Sequence, residues 1–295
     1  MNKLKINSML FLSAFIWGLA FVAQQIGMEY MEPFTFNSIR FFIGSIVLLP
    51  CIWLLDRKKN ASQVSSHSVD KKTLYVGAIC CGIPLAFASG VQQVALLYSP
   101  AGKVGFLTAL YILFVPIFGI FLKKKAGLHI WLGVLVAVIG MYLLCITDSF
   151  SLGKGDAYAL LCAVIFALQI MFVDHFSPKT DGLRLSCLEF LVAGIINAIF
   201  MFFTETPDIS YILAAALPLL YAGVLSCGVA YTLQVIAQKD ADPSIAALIM
   251  SLESVFSVLG GWVILHQILS PREIFGCLLM FSATILAQLP GKRNL

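Results

Sequence analysis

The chain is 295 residues long, 60% hydrophobic and only 12% charged, with a mean hydropathy of +0.95. Soluble domains carry about 25% charged and about 45–50% apolar residues, so this composition excludes a cytosolic enzyme, a secreted disulfide scaffold and a disordered tail, and places the chain in a bilayer. The net charge of +4 comes from short basic clusters between apolar runs rather than from one basic face, which argues for membrane orientation and against nucleic acid as a partner.

In chain order, apolar runs fall at 8–27, 34–55, 74–97, 101–122, 128–147, 156–173, 185–204, 211–237, 243–265 and 272–289. A crossing takes roughly 20 apolar residues, so these runs predict ten transmembrane helices and an all-α integral membrane fold. The apolar part of the first run is too long for a signal peptide, and Lys3 and Lys5 in front of it are read as the flank of a first span. Pro33, Pro100, Pro207, Pro243 and Pro271 stand near run starts, where the missing N–H is not needed. Residues 56–73 form the one long polar connection and are expected to be a solvated linker. The eight cysteines all lie in apolar segments without a C-x-x-C pair, so neither disulfide, metal nor cofactor is expected.

Fifteen of the 19 Lys and Arg residues fall at the two termini and in the even-numbered connections, against only Lys103, Lys154 and Arg272 on the opposite side. The positive-inside rule then predicts a multi-pass cell-membrane protein with both termini cytoplasmic.

The two halves resemble each other. Leu12–Gly18 lies over Leu161–Ala167, Arg40-Phe41 over Glu189-Phe190, Gly77 and Cys81-Gly82 over Gly223 and Cys227-Gly228, Pro100 over Pro243, and Gly133 over Gly276. An odd number of spans per copy inserts the second copy upside down. The expected units are therefore two inverted five-helix repeats, 8–147 and 155–289, an arrangement with two nearly equivalent packings and the usual basis of alternating access.

Trp17-Gly18-x-x-Phe21, Arg40-Phe41-Phe42, Leu152-Gly153-Lys154-Gly155-Asp156, Leu252-Glu253 and Gly276 follow one another in an order and spacing that resemble the EamA-like carriers of the drug/metabolite transporter superfamily over about residues 8–289. The resemblance implies ten helices around a central cavity and, in general, export of small metabolites. Where many members carry Gly-Glu after the fourth and ninth helices, this chain has Leu122-Lys123-Lys124-Lys125 and Leu265-His266-Gln267. Ser254 stands where a Pro often follows the ninth-helix Glu, and Pro116 is expected to break the fourth helix.

Charge at membrane depth costs about 2.5–3.5 kcal/mol at a helix centre, so Arg40, Glu189 and Glu253 each need a partner or a purpose. Arg40 and Glu189 are candidates for a charge pair or an anionic-solute site, or else packing charges. Glu253, expected in mid-helix beside Ser251, Ser254 and Ser257, is either a group that binds substrate or a coupling proton, or a carboxyl held by those hydroxyls or by Arg40. Trp17, Gln93, Tyr111, Gln169 and Tyr231 are the candidate cavity wall, among recurring amides and aromatic rings that include Phe21, Gln24, Gln92, Thr108, Phe166 and Gln234. No H-E-x-x-H, G-x-S-x-G or Walker A sequence occurs, and Asp156 of Gly-Lys-Gly-Asp lacks a second Asp at matching depth, so an enzyme is not expected. The expected activity is secondary transport of small polar or amphipathic metabolites, amino acids or related compounds first. Its rivals are a carrier or scramblase of lipid-linked molecules, which requires a lateral opening, and a membrane-embedded enzyme, which requires paired titratable groups in a wet cleft.

Overall fold

The computed structural model describes residues 1–61, 70–99, 101–123, 126–145, 153–265 and 270–288, and among them there is no strand. In chain order the helices are α1 (Lys3–Gly27), α2 (Pro33–Ala61), α3 (Lys71–Ala95), α4 (Ala101–Ala109), α5 (Tyr111–Phe121), α6 (Leu128–Cys145), α7 (Lys154–Phe176) and α8 (Gly182–Thr204). They continue as α9 (Ile209–Ala214), α10 (Ala216–Leu220), a π-helical segment Tyr221–Tyr231, α11 (Thr232–Gln238), α12 (Pro243–Met250), α13 (Glu253–Leu265) and α14 (Pro271–Ala287). Eight stretches are long and apolar enough to cross a bilayer, some of them joining consecutive helices, and Leu128–Leu143 is a shorter apolar helix.

Several boundaries differ from the hydropathy reading. The fourth run is not broken at Pro116, which lies inside α5; the interruption comes earlier, at Leu110. The ninth run breaks at Ser251-Leu252, so Glu253 opens a new helix instead of sitting in mid-helix. Residues 211–237 do not form one regular helix: the exposed α9 precedes a crossing made of α10, the π segment and α11. α2 extends to Ala61 and α3 begins at Lys71 with Asp70 as its cap, which trims the expected 56–73 linker to residues 62–69, outside the described residues. Gly82, Pro84 and Gly90 leave α3 unbroken.

Small residues set the packing. A Cβ on Gly18 would lie 2.7 Å from the Glu253 carbonyl oxygen and 2.8 Å from the Ser257 nitrogen, so α1 and α13 touch backbone to backbone. A Cβ on Gly140 of α6 would lie 3.0 Å from the Gly276 carbonyl oxygen, and one on Gly133 would lie 3.1 Å from the Ala283 carbonyl oxygen, so α6 seats antiparallel on α14. α3 runs against α7 through Gly77 and Phe176, and α8 against α2 and α3. Without a hydrophobic driving force between helices in lipid, this close approach and the dispersion it brings hold the bundle together. Positions equivalent in the two halves of the sequence also meet directly: the rings of Phe41 and Phe190 stack with centroids 6.3 Å apart.

Polar contacts tie helix ends together. At one end Arg184 Nη2 donates to both Asp56 carboxylate oxygens, at 2.6 and 2.8 Å, and Asn7 Nδ2 donates to Gln288 Oε1 at 2.5 Å. At the other, the Glu205 carboxylate accepts from the Phe34 and Thr35 amides at 2.7 and 2.6 Å, capping the start of α2 from the end of α8. There too Lys103 Nζ reaches Asp156 Oδ2 at 2.6 Å and Ser99 Oγ donates to Asp156 Oδ1 at 3.1 Å, joining α4 to the start of α7.

Gly18→Ala tests the backbone contact of α1 and α13. Overpacking costs about 1–3 kcal/mol, so thermal unfolding of the purified protein in detergent should shift down by several degrees, whereas Gly102→Ala, with nothing within 4 Å of its new Cβ, should leave it unchanged or slightly raised.

Candidate functional site

The helix interruptions converge. Leu110 separates α4 from α5 just before Tyr111, and Ser251-Leu252 separates α12 from α13 just before Glu253. Each break stands at a similar distance from the proline at the start of its run, Pro100 and Pro243. Tyr111 Oη donates to Glu253 Oε1 at 3.2 Å, so the two breaks face each other across the centre of the bundle. Glu253 lies in the first turn of α13, where the positive end of the helix dipole favours a carboxylate.

Between these breaks lies an internal chamber. α1 contributes Trp17, Phe21 and Gln24; α2 contributes Arg40, α3 Gln92, α4 Thr108 and α5 Tyr111. From the second half come Phe166, Gln169 and Ile170 of α7, Ser226 and Tyr231 of the π segment, Gln234 of α11, Met250 of α12 and Glu253. A π-helical turn is uncommon and concentrates at functional sites, and here it carries Ser226 and Tyr231 to the wall. The space left for water is about 40 Å³, room for about three molecules. That space is smaller than a metabolite, so taking up a solute requires the chamber to widen.

Of the residues singled out in the sequence, Arg40, Glu253, Trp17, Tyr111, Gln169 and Tyr231 line this one chamber, and Glu189 and Gln93 do not. Gln93 is turned away by one helical step: its Nε2 donates to the Gln24 carbonyl at 3.4 Å, and the neighbouring Gln92 takes the wall position and donates to Thr108 Oγ1 at 3.4 Å. Glu189 is fully buried on α8 with neither carboxyl oxygen hydrogen-bonded, and its backbone carbonyl lies against Gly82 of α3. Arg40 and Glu189 form no ion pair; at their level the contact between α2 and α8 is made by the Phe41 and Phe190 rings. Ser226, Ile170 and Met250 carried no signal in the sequence, being small or apolar residues in apolar runs.

Arg40 is 2% exposed, and its Nη1 donates to Gln24 Oε1 at 2.9 Å. The Phe41 ring lies 5.0 Å from the guanidinium carbon. Nε of Arg40 has no acceptor. The serines near Glu253 do not hold its carboxyl: Ser251 Oγ donates to the Leu248 carbonyl and Ser254 Oγ to the Ser251 carbonyl, each at 2.8 Å. Trp17 and Tyr231 rings meet at 4.6 Å, and Gln234 Nε2 donates to Gln238 Oε1 at 2.8 Å and to Gln169 Oε1 at 3.4 Å.

These features define a multi-pass helical membrane protein that encloses a polar, aromatic-walled chamber between broken helices. The sequence model of the EamA-like transporter family matches residues 4–146 and again 153–289, and the chain belongs to that family. It is similar to an uncharacterized transporter of Archaeoglobus fulgidus, with 31% identity over 94% of this chain and 84% of the relative. It is also similar to the uncharacterized transporter YoaV of Bacillus subtilis, with 22% identity over 90% of each chain. A solved crystal structure shares the fold, with a TM-score of 0.77 at 20% identity over 98% of each chain.

Gln24 supplies the protein's hydrogen bond to the Arg40 guanidinium. Gln24→Leu should destabilise the protein by about 1–3 kcal/mol, the cost of leaving a buried donor unpaired, and Gln25→Leu, at an exposed neighbouring position, by much less; chemical or thermal unfolding of both variants checks this.

Proposed function

We propose that the protein is a secondary carrier that exports small polar or amphipathic metabolites across the cell membrane by alternating access. The observation that carries this reading is the polar chamber lined from both halves of the chain, with one buried cation, Arg40, and one buried carboxyl, Glu253, on its wall. A polar chamber lined by both halves, in a bundle tied at both ends by helix-end contacts, suits a protein that opens to one side at a time.

In this reading the bundle has ten crossings, α6 and α14 being the fifth and tenth. α14, with 17 residues at 1.5 Å each, reaches about 26 Å and meets the lower limit for a span. Residues 8–147 and 155–289 are the two inverted five-helix repeats. The matched breaks at Leu110 and Ser251-Leu252, and the meeting of Phe41 with Phe190, support that division. The excess of Lys and Arg at the termini and even-numbered connections supports a cytoplasmic side for both termini. A proton bound at Glu253 couples export to the proton gradient, since an acid at membrane depth that opens alternately to two sides carries protons between them.

A lipid-linked cargo is less well supported. The lateral groove of Phe34, Phe87, Gly90 and Phe200 shares no residue with the chamber, and neither does the groove of Phe11, Leu252 and Phe281 near the opposite end. A chamber separate from both of these lateral grooves suits a soluble solute better than a lipid.

The test is flux of a mixed panel of labelled amino acids, organic anions and organic cations in proteoliposomes, with and without an imposed pH gradient. Saturable movement of one class, stimulated by the gradient, is expected. Glu253→Gln should abolish the stimulation and lower flux by about tenfold or more, as loss of a charge-assisted contact of roughly 1.5–3 kcal/mol requires. Folded protein that moves none of the panel contradicts the carrier reading.

A further inference from the structure

One buried carboxyl lies outside the chamber and has no part in the reading above. Glu189, about two turns into α8, is fully buried, and neither of its carboxyl oxygens has a hydrogen-bond partner in the protein. Among the described residues, no cationic nitrogen lies within 4.0 Å of it. α8 packs on α2, α3, α11 and the π segment. α3 and the π segment bring the Cys81 and Cys227 thiols within electrostatic reach of the carboxyl, while Tyr231 of that segment meets the neighbouring Phe190. α11 brings no ionisable group, and α2 brings Arg40, whose Nη1 donates to Gln24, its other charges lying from Asp56 onward at the far end. An ionised carboxylate in such a place forfeits its hydration with nothing in return, whereas the neutral acid leaves only ordinary polar atoms unsatisfied.

The seam between α8 and α3 is tightly packed at this level and yet polar in composition. A Cβ on Gly82 of α3 would lie 2.8 Å from the Glu189 carbonyl oxygen and 2.7 Å from Val192 Cβ, so the two helices touch there. Ser186, Glu189, Ala193 and Asn197, spaced three, four and four residues apart, fall on one face of α8. Asn197 Nδ2 donates to the Ala86 carbonyl of α3 at 3.5 Å, which sets that face on the seam. Ser186 Oγ and Asn197 Oδ1 are buried without a partner in the protein, as is Ser89 Oγ of α3. Unpaired polar groups along one seam are costly while it is shut, and water that enters it pairs them all. We propose that Glu189 is a proton-binding site separate from the chamber: its carboxyl carries a proton while α3 and α8 are packed as here, and gives it up when the seam opens and water reaches it. Acid therefore favours this packing, and alkali favours the open seam. The protonated state stands on the packing alone, whereas the release rests on the carrier reading, which requires a second packing of the helices.

Infrared spectroscopy of the full chain tests it, in a maltoside detergent that has no ester carbonyl of its own. At neutral pH the wild type should show the carbonyl stretch of a carboxylic acid at the high-frequency position of an acid without hydrogen bonds. The band should persist in Glu253→Gln and be lost in Glu189→Gln. On titration to alkaline pH it should fall as a carboxylate band rises. If Glu189→Gln does not fold, Glu189→Asp, which draws the carboxyl back by one methylene, should shift the band instead of removing it. A wild type without the band at neutral pH, or a band that neither variant of Glu189 alters, overturns the site. A band that stays unchanged to the highest pH the folded protein withstands overturns the release. The band is read without any flux, so the two readings fail separately. Solute movement in proteoliposomes by protein that lacks the band leaves a carrier and removes this proton site, whereas a titrating band in protein that moves no solute leaves the site and removes the carrier.

Discussion

Hydrocarbon offers nothing to a buried charge, and most of this structure follows from how two such charges are accommodated. Arg40 and Glu253 cannot be solvated by lipid, and the protein does not pair them with each other. They instead open onto one chamber, and the bundle around it supplies amides, hydroxyls and aromatic faces that partly satisfy them. Placing a carboxyl at the start of a half-helix requires a helix start in mid-membrane, which accounts for the break before Glu253. The matching break before Tyr111 puts a hydroxyl opposite it. Backbone groups freed by such breaks are tolerated only where they face protein or a cavity, so chamber and breaks belong to one design.

The rest of the fold holds the helices around that centre. α6 and α14, packed through Gly133, Gly140 and Gly276, lie to one side as a pair. α2 and α8 cross at the Phe41 and Phe190 stack. The Lys103 to Asp156 ion pair and the Glu205 cap on α2 join the helices at one end, and the Asp56 to Arg184 pair joins them at the other. These contacts are polar and lie at the helix ends, so they are the ones whose exchange would let the ends part while the small-residue seams stay packed.

Much of this was legible in the sequence, and the reasons for the misses are specific. Hydropathy located the membrane-crossing stretches because lipid imposes a length and a composition on them. Charge at membrane depth identified Arg40 and Glu253, and amides and aromatics in apolar runs identified Trp17, Tyr111, Gln169 and Tyr231. Gln93 was the wrong member of the Gln92-Gln93 pair, because composition does not reveal which way a helix is rotated about its axis. Equivalence in the repeat made Arg40 and Glu189 candidates for a charge pair or an anionic-solute site, or else packing charges, yet Arg40 lines the chamber and Glu189 is buried away from it, because matching positions in a repeat do not reveal which residues share a space. Pro116 drew attention as the obvious breaker of its run, whereas the interruption falls a turn and a half earlier at Leu110, which no residue type announces. The π-helical turn at Tyr221–Tyr231 is equally silent, being a choice of hydrogen-bond register within an apolar stretch.

The central claim is that a single chamber opens alternately to the two ends. Spin labels at Gly102 and Ala157, at the starts of α4 and α7, report one end, and labels at Lys5 and Lys239, at the start of α1 and just past α11, report the other. Pulsed electron paramagnetic resonance on each pair in nanodiscs, with reactive cysteines replaced, then measures both separations as solute and pH are varied. The account predicts reciprocal shifts, one pair lengthening under conditions in which the other stays short. Two separations that stay fixed under every condition, or that lengthen together, would contradict it.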